Sequence, residues 1–319
     1  MPEDVEGRRV ERLRAIFAAG RPLSGLEVDI GDDAAVLAPA LGREVLSVDA
    51  HVENVHFRRG WLTMTELGAR ATSAALSDLA AMGAEARAVL CSLALPPWLD
   101  DTAIEALAHG VRDAADAAGA RVVGGNLTRA GELSVHTTVV GRAGARPLLR
   151  RGARPGDVVY VTGTLGAAAC GLTALLSGRG DEPALQPFVA RWRRPRARIV
   201  EGRRIAELAS AGLDVSDGLV RDLRHLAQAS GCTIRVDAAA LPLEPGFAEA
   251  CGTLGRDPLE LALAGGEDYE IVFTAPVSRD AGKLATPIGT VLGGPPDVRV
   301  QDAAGREIVP RSGFDHFAD

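Results

Sequence analysis

Six short motifs, most of them acidic, lie along the 319-residue chain beside glycine, serine or small apolar residues. They are GDD at 31–33, SVDAHVENVHF at 47–57, ALSDLAAMG at 75–83, GGN at 124–126, DVSDGL at 214–219 and GGEDYE at 265–270. If their carboxylates converge in one cleft, mutual repulsion raises their pKa values unless cations neutralise them. Mg²⁺ is the simplest oxygen-preferring cation, and it usually accompanies a polyphosphate. The motifs therefore indicate nucleotide chemistry without a P-loop.

Other nucleotide and catalytic signatures are missing from the chain. A Walker A loop needs G-x-x-x-x-G-K-[ST], but Gly282-Lys283 is followed by Leu284. The Gly163-x-x-Gly166 pair is too short for a dinucleotide fingerprint and indicates a tight turn from a strand into a helix. Zinc-type spacings such as H-E-x-x-H do not occur, and the six histidines are scattered. The acidic motifs therefore carry the functional argument.

Each of the first motifs also has a purely structural interpretation. Asp32-Asp33 can form a β-turn, and Asp49 follows a strand, whose carboxyl end often borders a site. His56 lies between two apolar residues and fits a core or loop histidine as well as a ligand. Asp78 is more informative, because it lies in a helix of Ala, Leu and Met, where a charge is costly unless it is paired or metal-bound.

The DVSDGL motif places carboxylates at the end of a strand and at the start of a helix. Ser216 or Asp217 can cap that helix, which is the structural interpretation. The same arrangement suits phosphate and Mg²⁺, because a helix N-terminus attracts anions. Glu267-Asp268 precedes another strand and can be a loop turn. No motif decides the function alone, whereas their joint occurrence in this order is highly specific.

Composition limits the class of protein. Apolar residues make up 47% and charged residues 24%, a normal globular balance, and the formal net charge of −7 argues against non-specific nucleic-acid binding. No stretch approaches 18 uninterrupted apolar residues and no signal segment is found, so no membrane association is expected. The four cysteines form no C-x-x-C pair and fit buried free thiols in a reducing compartment. A cytoplasmic protein is expected.

Hydrophobic periodicity and turn residues predict alternating helices and strands in both halves of the chain. Helices are predicted at 4–19, 63–83, 99–118, 166–177, 197–210 and 218–229, with a capping box over 63–66. Strands are predicted at 34–38, 44–48, 86–95, 121–123, 133–142, 157–162, 212–215, 232–236, 269–275 and 287–292. The Gly-, Pro- and Arg-rich stretch 143–155 is the candidate boundary. The pattern predicts two layered α/β domains, at 1–145 and 146–319.

Taken together, the motifs resemble those of the thiamine-monophosphate kinase family, within the aminoimidazole-ribonucleotide synthetase superfamily. The similarity extends to GFDHF at 313–317, and its strongest parts are GDD, SVDAHVENVHF, LSDLAAMGA, RRGARPGDVVYVTGTLG, DVSDGL and AGGEDYE. The resemblance implies an N-terminal α/β domain whose strands form a β-barrel with a second subunit, a C-terminal α/β domain, and an ATP cleft between them. It also implies a homodimer that transfers the γ-phosphate of ATP to thiamine monophosphate, giving thiamine diphosphate and ADP.

The resemblance assigns roles to residues by position. Several Mg²⁺ ions would be held by Asp33, Ser47, Val48, Asp49, Asp78, Asn126, Asp214 and Asp217. ATP would contact Gly125, Asn126, Arg150 and Ser216, and thiamine monophosphate would contact His56, Glu267 and Phe314. Catalysis would rest on Asp49, Asp78, Arg150 and Asp217. Because the acceptor is itself an ionised phosphate, positioning and charge neutralisation suffice and no general base is needed.

Three positions depart from the family pattern. Asn126 stands where the family usually has Asp, so one negative charge is missing next to the phosphates. Val48 replaces a Thr and offers a metal only its backbone oxygen, and Ala75 replaces an Asn. Asn126 keeps a second interpretation open, a non-catalytic or weakly active nucleotide-binding paralogue. Superfamily members that act through a C-terminal Cys, or an N-terminal Cys or selenocysteine, are disfavoured because the chain has neither.

Overall fold

The computed structural model describes residues 5–31, 34–39, 41–279 and 281–309. Two of the predicted site residues, Asp33 and Phe314, lie outside these described residues. The chain separates into two compact units. The first contains the residues up to 79 together with 84–145, and the second contains 80–83 and the residues from 146 onward.

Helices and strands alternate along most of the described chain. The helices are α1 (Val5–Ala18), α2 (Met64–Ala81), α3 (Asp101–Ala118), α4 (Ala167–Leu176), α5 (Gln186–Arg193), α6 (Ile199–Leu208), α7 (Leu219–Ser230), α8 (Phe247–Thr253) and α9 (Pro258–Ala264). The strands are β1 (Leu26–Val28), β2 (Val36–Leu37), β3 (Arg43–Val52), β4 (Glu85–Leu95), β5 (Arg121–Arg129), β6 (Ser134–Ala143), β7 (Val158–Val161), β8 (Ala211–Val215), β9 (Thr233–Asp237), β10 (Glu270–Ala275), β11 (Thr286–Leu292), β12 (Asp297–Gln301) and β13 (Glu307–Ile308).

A four-stranded sheet organises the first unit, in the order β3-β6-β4-β5. Strand β6 pairs antiparallel with both β3 and β4, whereas β4 and β5 run parallel. The long helices α2 and α3 bury apolar side chains such as Leu67, Leu76, Ile104 and Leu107. Burying each of these side chains contributes about 1.5–3 kcal/mol. The sheet and these helices therefore form the core that positions the motifs of the first unit.

Hydrogen bonds confirm the predicted ends of two helices. At the start of α2, Thr63 N donates to Glu66 Oε2 (2.9 Å) and Glu66 N donates to Thr63 Oγ1 (3.2 Å), the reciprocal pattern of a capping box. At the start of α3, Asp100 Oδ1 accepts from Ala103 N (2.8 Å). Gly119 ends α3 in the left-handed conformation that favours glycine, at φ 87°. All three caps are local, which explains why the sequence predicts the capping box and the glycine stop.

A seven-stranded sheet organises the second unit, in the order β13-β12-β9-β11-β7-β10-β8. All its pairs are antiparallel except β9 with β12. Strands β8 and β10 are buried along their full length, as expected for strands covered on both faces. Val215, the last residue of β8, pairs with Glu270, the first residue of β10. The segments 214–219 and 265–270 therefore meet at one edge of this sheet.

The predicted mixed α/β architecture with two units is confirmed. In neither sheet do the described strands close into a barrel. The sequence prediction lacks the helices α5, α8 and α9 and the strands β1, β12 and β13. The longest of these has 8 residues, so each shows only a short hydrophobic pattern. Strand β5 continues through Gly124-Gly125 to Arg129, because pairing with β4 outweighs the low strand propensity of glycine. No helix in the described part of the chain has the length and hydropathy to cross a membrane.

Candidate functional site

Strand β3 and helix α2 bring two predicted metal ligands together in the first unit. Ser47 and Asp49 are half-buried on one face of β3, because side chains alternate along a strand, whereas Val48 faces the other way and is exposed. The Ser47 hydroxyl donates a hydrogen bond to Asp78 Oδ2 on α2. Asp78 is itself half-buried among fully buried neighbours, and Asp49 Oδ1 accepts from Ala50 N (2.8 Å). The hydroxyl and carboxylate oxygens of Ser47 and Asp78 thus form one oxygen-rich cluster.

The predicted ATP contacts of the first unit lie on β5. Gly125 and Asn126 are exposed and pair with Cys91 and Ser92 of β4. A Cβ at Gly125 would lie 1.9 Å from the Cys91 carbonyl oxygen, so no larger residue fits there. Both residues line a cavity of about 580 Å³ whose other walls are mostly apolar side chains of α1 and β4. The backbone of β5 is therefore open to a ligand at this position.

The turn after β3 carries His56 beside a second histidine. His56 Nδ1 accepts a hydrogen bond from Val52 N (3.1 Å), so the proton of the neutral ring sits on Nε2. The ring stacks on His51, with 5.3 Å between the ring centroids. Burial, together with nearby Arg70 and His56, lowers the pKa of His51 well below its usual range. The motif interpretation does not single out His51, which lies on the same face of β3 as Ser47 and Asp49.

In the second unit, the DVSDGL and GGEDYE segments are hydrogen-bonded to each other. Glu267 N donates to Ser216 O (2.7 Å), and Tyr269 N donates to Val215 O (2.9 Å). A Cβ at Gly266 would lie 2.4 Å from Ser216 O, so glycine is required for this close approach. Two predicted residues with different roles, Ser216 for ATP and Glu267 for the substrate, are thus on adjoining loops.

Asp222, in the first turn of α7, belongs to none of the motifs but contacts one of them. Its Oδ2 accepts hydrogen bonds from Ser216 N and Asp217 N, both at 3.1 Å. Burial, together with the charges of Asp214 and Asp217, raises its pKa to about 8, although the two backbone hydrogen bonds oppose the shift. Asp222 therefore fixes the backbone of the DVSDGL loop while the two predicted metal ligands crowd it electrostatically.

The charges of Arg150 and Asp217 both affect the pKa of His225 on α7. Arg150 is exposed before β7, and its carbonyl oxygen accepts from Ser230 Oγ (3.0 Å). The pKa of His225 is lowered, first by burial and then by the charges of Arg150 and Arg221, whereas Asp217 raises it. The charge of Arg150 therefore reaches the same side chain of α7 as that of Asp217, while the Arg150 backbone is bound at Ser230, the last residue of that helix.

The GGEDYE loop also holds the start of α4. Asp268 Oδ2 accepts from Gly166 N (2.7 Å), and Asp268 Oδ1 accepts from Ala168 N (3.3 Å). Burial raises the pKa of Asp268 to about 7, which these two hydrogen bonds oppose. Asp268 thus serves as a structural cap, while its neighbour Glu267 points its carboxylate elsewhere, to the indole of Trp192 (Nε1 to Oε2, 2.6 Å).

Two family models match the chain. The model for AIR synthase related protein, N-terminal domain, matches residues 31–143, and the model for AIR synthase related protein, C-terminal domain, matches residues 154–297. The two matches cover most of the chain and fall on its two units. Fold and site together therefore define a protein of the AIR synthase related class.

Similarity to individual proteins narrows this class to one enzyme family. The thiamine-monophosphate kinase of Aquifex aeolicus (strain VF5) is 38% identical over 251 residues, which are 78% of this chain and 81% of that protein. The thiamine-monophosphate kinase of Mycobacterium tuberculosis (strain ATCC 25618 / H37Rv) is 37% identical over 294 residues, 91% of this chain and 85% of that protein. A solved structure of AaThiL complexed with AMPPCP and TMP matches with a TM-score of 0.81 and 38% identity, covering 90% of this chain and 92% of that one. This chain belongs to the thiamine-monophosphate kinase family, as its motifs predict.

Proposed function

We propose that this chain phosphorylates thiamine monophosphate to thiamine diphosphate by direct transfer of the γ-phosphoryl group of ATP, with Mg²⁺ present. Family membership supports the reaction class, and a relative solved with AMPPCP and TMP supports the two substrates. The observation that carries the proposal is the 2.7 Å hydrogen bond between Glu267 N and Ser216 O. It joins the loop proposed for the acceptor to the loop proposed for the nucleotide, and transfer requires the two ligands to be neighbours.

The residues proposed for the metal site have the right chemistry for Mg²⁺. They offer carboxylate, amide, hydroxyl and backbone oxygens, which are the ligands that Mg²⁺ prefers. The proposed residues are Asp33, Ser47, Val48, Asp49, Asp78, Asn126, Asp214 and Asp217. Within the described residues, no three His, Cys, Asp or Glu side chains are gathered closely enough to hold a metal on their own. The repulsion that Asp214 and Asp217 exert on Asp222 is nevertheless the kind that a bound cation relieves. When bound, Mg²⁺ would neutralise charge on the polyphosphate.

The protein's own residues would mainly bind and orient the two ligands. The Arg150 guanidinium would supply a positive charge to the transferring phosphoryl group, and the backbone at Gly125 and Asn126 would contact the nucleotide. Ser216 would contact the nucleotide from a loop whose conformation Asp222 fixes. His56 and Glu267, with Phe314, would hold the thiamine part of the acceptor. The acceptor oxygen is already ionised, so none of these residues needs to remove a proton from it.

A homodimer that completes a barrel is the second part of the proposal. Val48 of β3 pairs with Thr138, which pairs with Leu90 of β4, so these side chains share one face of the open sheet. Val48 is 66% exposed, Leu46 65% and Leu90 39%, and an apolar face of this kind is typical of an interface. A second copy would cover this face. Light scattering is expected to give twice the chain mass of 33.1 kDa, and a mass of one chain would contradict the dimer.

A direct assay tests the reaction. Purified protein mixed with ATP, Mg²⁺ and thiamine monophosphate is expected to form thiamine diphosphate and ADP in equal amounts, as measured by chromatography. Omitting thiamine monophosphate is the control for hydrolysis of ATP. If the protein binds ATP but forms no thiamine diphosphate at any millimolar Mg²⁺ concentration, the kinase proposal is wrong. The chain would then be a nucleotide-binding paralogue.

Asn126 is the residue that favours this alternative, and it gives a prediction of its own. Asn126→Asp restores a negative charge on the exposed part of β5 and is expected to lower the Mg²⁺ concentration needed for half-maximal rate severalfold, because a carboxylate attracts Mg²⁺ more strongly than an amide does. The measurement is a Mg²⁺ titration of the initial rate. The matched control is Gln301→Glu, which adds the same charge at the end of β12, outside all six motifs. An unchanged Mg²⁺ requirement would remove Asn126 from the metal site.

A further inference from the structure

Helix α5 places two donors on the GGEDYE segment. Trp192 is fully buried, and its indole N–H donates to Glu267 Oε2 at 2.6 Å. One residue earlier, Arg191 Nη2 donates to Glu270 Oε1 at 3.0 Å. The indole donor and the carboxylate acceptor are 75 residues apart in sequence. One short helix thus determines where the carboxylate of Glu267 lies.

The backbone of Glu267 is held as firmly as its side chain. Its φ is +66°, in the left-handed region that non-glycine residues seldom adopt, and such a conformation persists only where the surroundings enforce it. The neighbouring Tyr269 is also left-handed, at φ +51°. The hydrogen bond from Glu267 N to Ser216 O supplies one constraint, and the indole of Trp192 supplies another. Strain of this kind is common at ligand sites.

We propose that Trp192 is a positioning residue that sets the affinity for the thiamine part of the acceptor by fixing the carboxylate of Glu267. The inference rests on the proposed function, in which Glu267 contacts thiamine monophosphate. A hydrogen bond to a carboxylate is among the stronger ones in proteins. The buried indole holds the carboxylate in place before the substrate arrives, so the substrate does not lose affinity in ordering it. Trp192 itself does not touch the reacting phosphate.

The test is Trp192→Phe, which keeps a large ring and removes the N–H donor. The KM for thiamine monophosphate is expected to rise about tenfold, the effect of losing one hydrogen bond to a charged group. The KM for ATP and kcat are expected to stay within about twofold, because only binding of the acceptor changes. Trp98→Phe is the matched control, since Trp98 is partly exposed and stacks on Arg59 in the other unit. That variant is expected to keep wild-type KM values.

A double variant separates positioning from general damage. In a Glu267→Ala background, Trp192→Phe is expected to leave the KM for thiamine monophosphate unchanged, because the carboxylate that it positions is gone. An unchanged KM in the single variant, or an equal rise in the Glu267→Ala background, would overturn the inference. A wild-type protein that forms no thiamine diphosphate would instead overturn the proposed function, so the two failures are distinguishable.

Indole ¹⁵N–¹H resonances of the full chain give a second readout if Trp192→Phe does not fold. Trp61→Phe and Trp98→Phe assign the three indole signals by elimination. The Trp192 signal is expected to move in Glu267→Ala, which removes its acceptor, and to shift in the wild type when thiamine monophosphate is added. A signal that stays in place in both experiments would show that Trp192 is not coupled to the substrate through Glu267.

Discussion

Asp78→Asn is expected to lower kcat for thiamine diphosphate formation by about 10²–10³-fold, the usual cost of removing one group that stabilises charge in the transition state. Asn has nearly the same shape as Asp, and its side-chain oxygen can still accept the hydrogen bond from Ser47. The substitution therefore removes a negative charge and little else. Asp78 is half-buried on α2 among fully buried residues, so the protein carries this charge at some cost to stability. A carboxylate at this position is what the proposed metal site requires.

The experiment measures kcat together with thermal unfolding. The midpoint of unfolding is expected to stay or to rise, because a partly buried charge has been replaced by a neutral amide. Asp113→Asn is the matched control, since Asp113 also lies on a helix of the first unit but is exposed and paired with Arg112. Its kcat is expected to match the wild type. An Asp78→Asn variant with wild-type kcat would exclude Asp78 from the proposed metal site.

The sequence predicts those elements whose signals are local. The capping box at Thr63 and the glycine stop at Gly119 depend on contacts three to five residues apart, and both are found in the structure. The short helix α5 is missed because its apolar face consists only of Phe188, Val189 and Trp192, and QPFVARWR has arginines in its last turn. Packing against α4 and hydrogen bonds to the 267–270 segment hold it instead. Tertiary packing of this kind stabilises a helix that is too short to be stable alone.

The same distinction applies to the candidate site. The motifs mark Ser47, Asp78, Ser216 and Glu267 as single residues, but they do not say which of them meet. The Ser47 to Asp78 contact spans 31 residues and depends on how α2 packs on the sheet. Positioning residues such as Trp192 carry no motif, because their role comes from a distant partner. Sequence therefore identifies the residues that touch ligands better than those that orient them.

Glu270→Ala is expected to lower the free energy of unfolding by about 3–5 kcal/mol, the usual effect of removing one partner of a buried ion pair. Glu270 is 1% exposed and accepts from Arg198 Nε (2.7 Å) and Nη2 (2.6 Å), from Arg191 (3.0 Å) and from Thr162 Oγ1 (2.6 Å). A Cβ at Gly163, where φ is +54°, would lie 2.2 Å from this carboxylate. The backbone at Gly163 therefore leaves space for the Glu270 carboxylate that a larger residue would fill. Denaturant unfolding is the measurement.

The expected loss in the free energy of unfolding is large because the variant leaves a partly buried positive charge without its partner. Glu270→Ala leaves the half-buried guanidinium of Arg198 without its bidentate partner. The double variant Arg198→Met, Glu270→Leu removes both charges. It is expected to destabilise the protein less than the single variant does. Glu182→Ala, at the exposed pair with Arg179, is the control, and its unfolding midpoint is expected to stay near that of the wild type. If Glu270→Ala were as stable as the control, water would have to solvate both arginines. The contact between Arg191 and Glu270 would then serve mainly to fix α5, and with it Trp192, against the loop of Glu267.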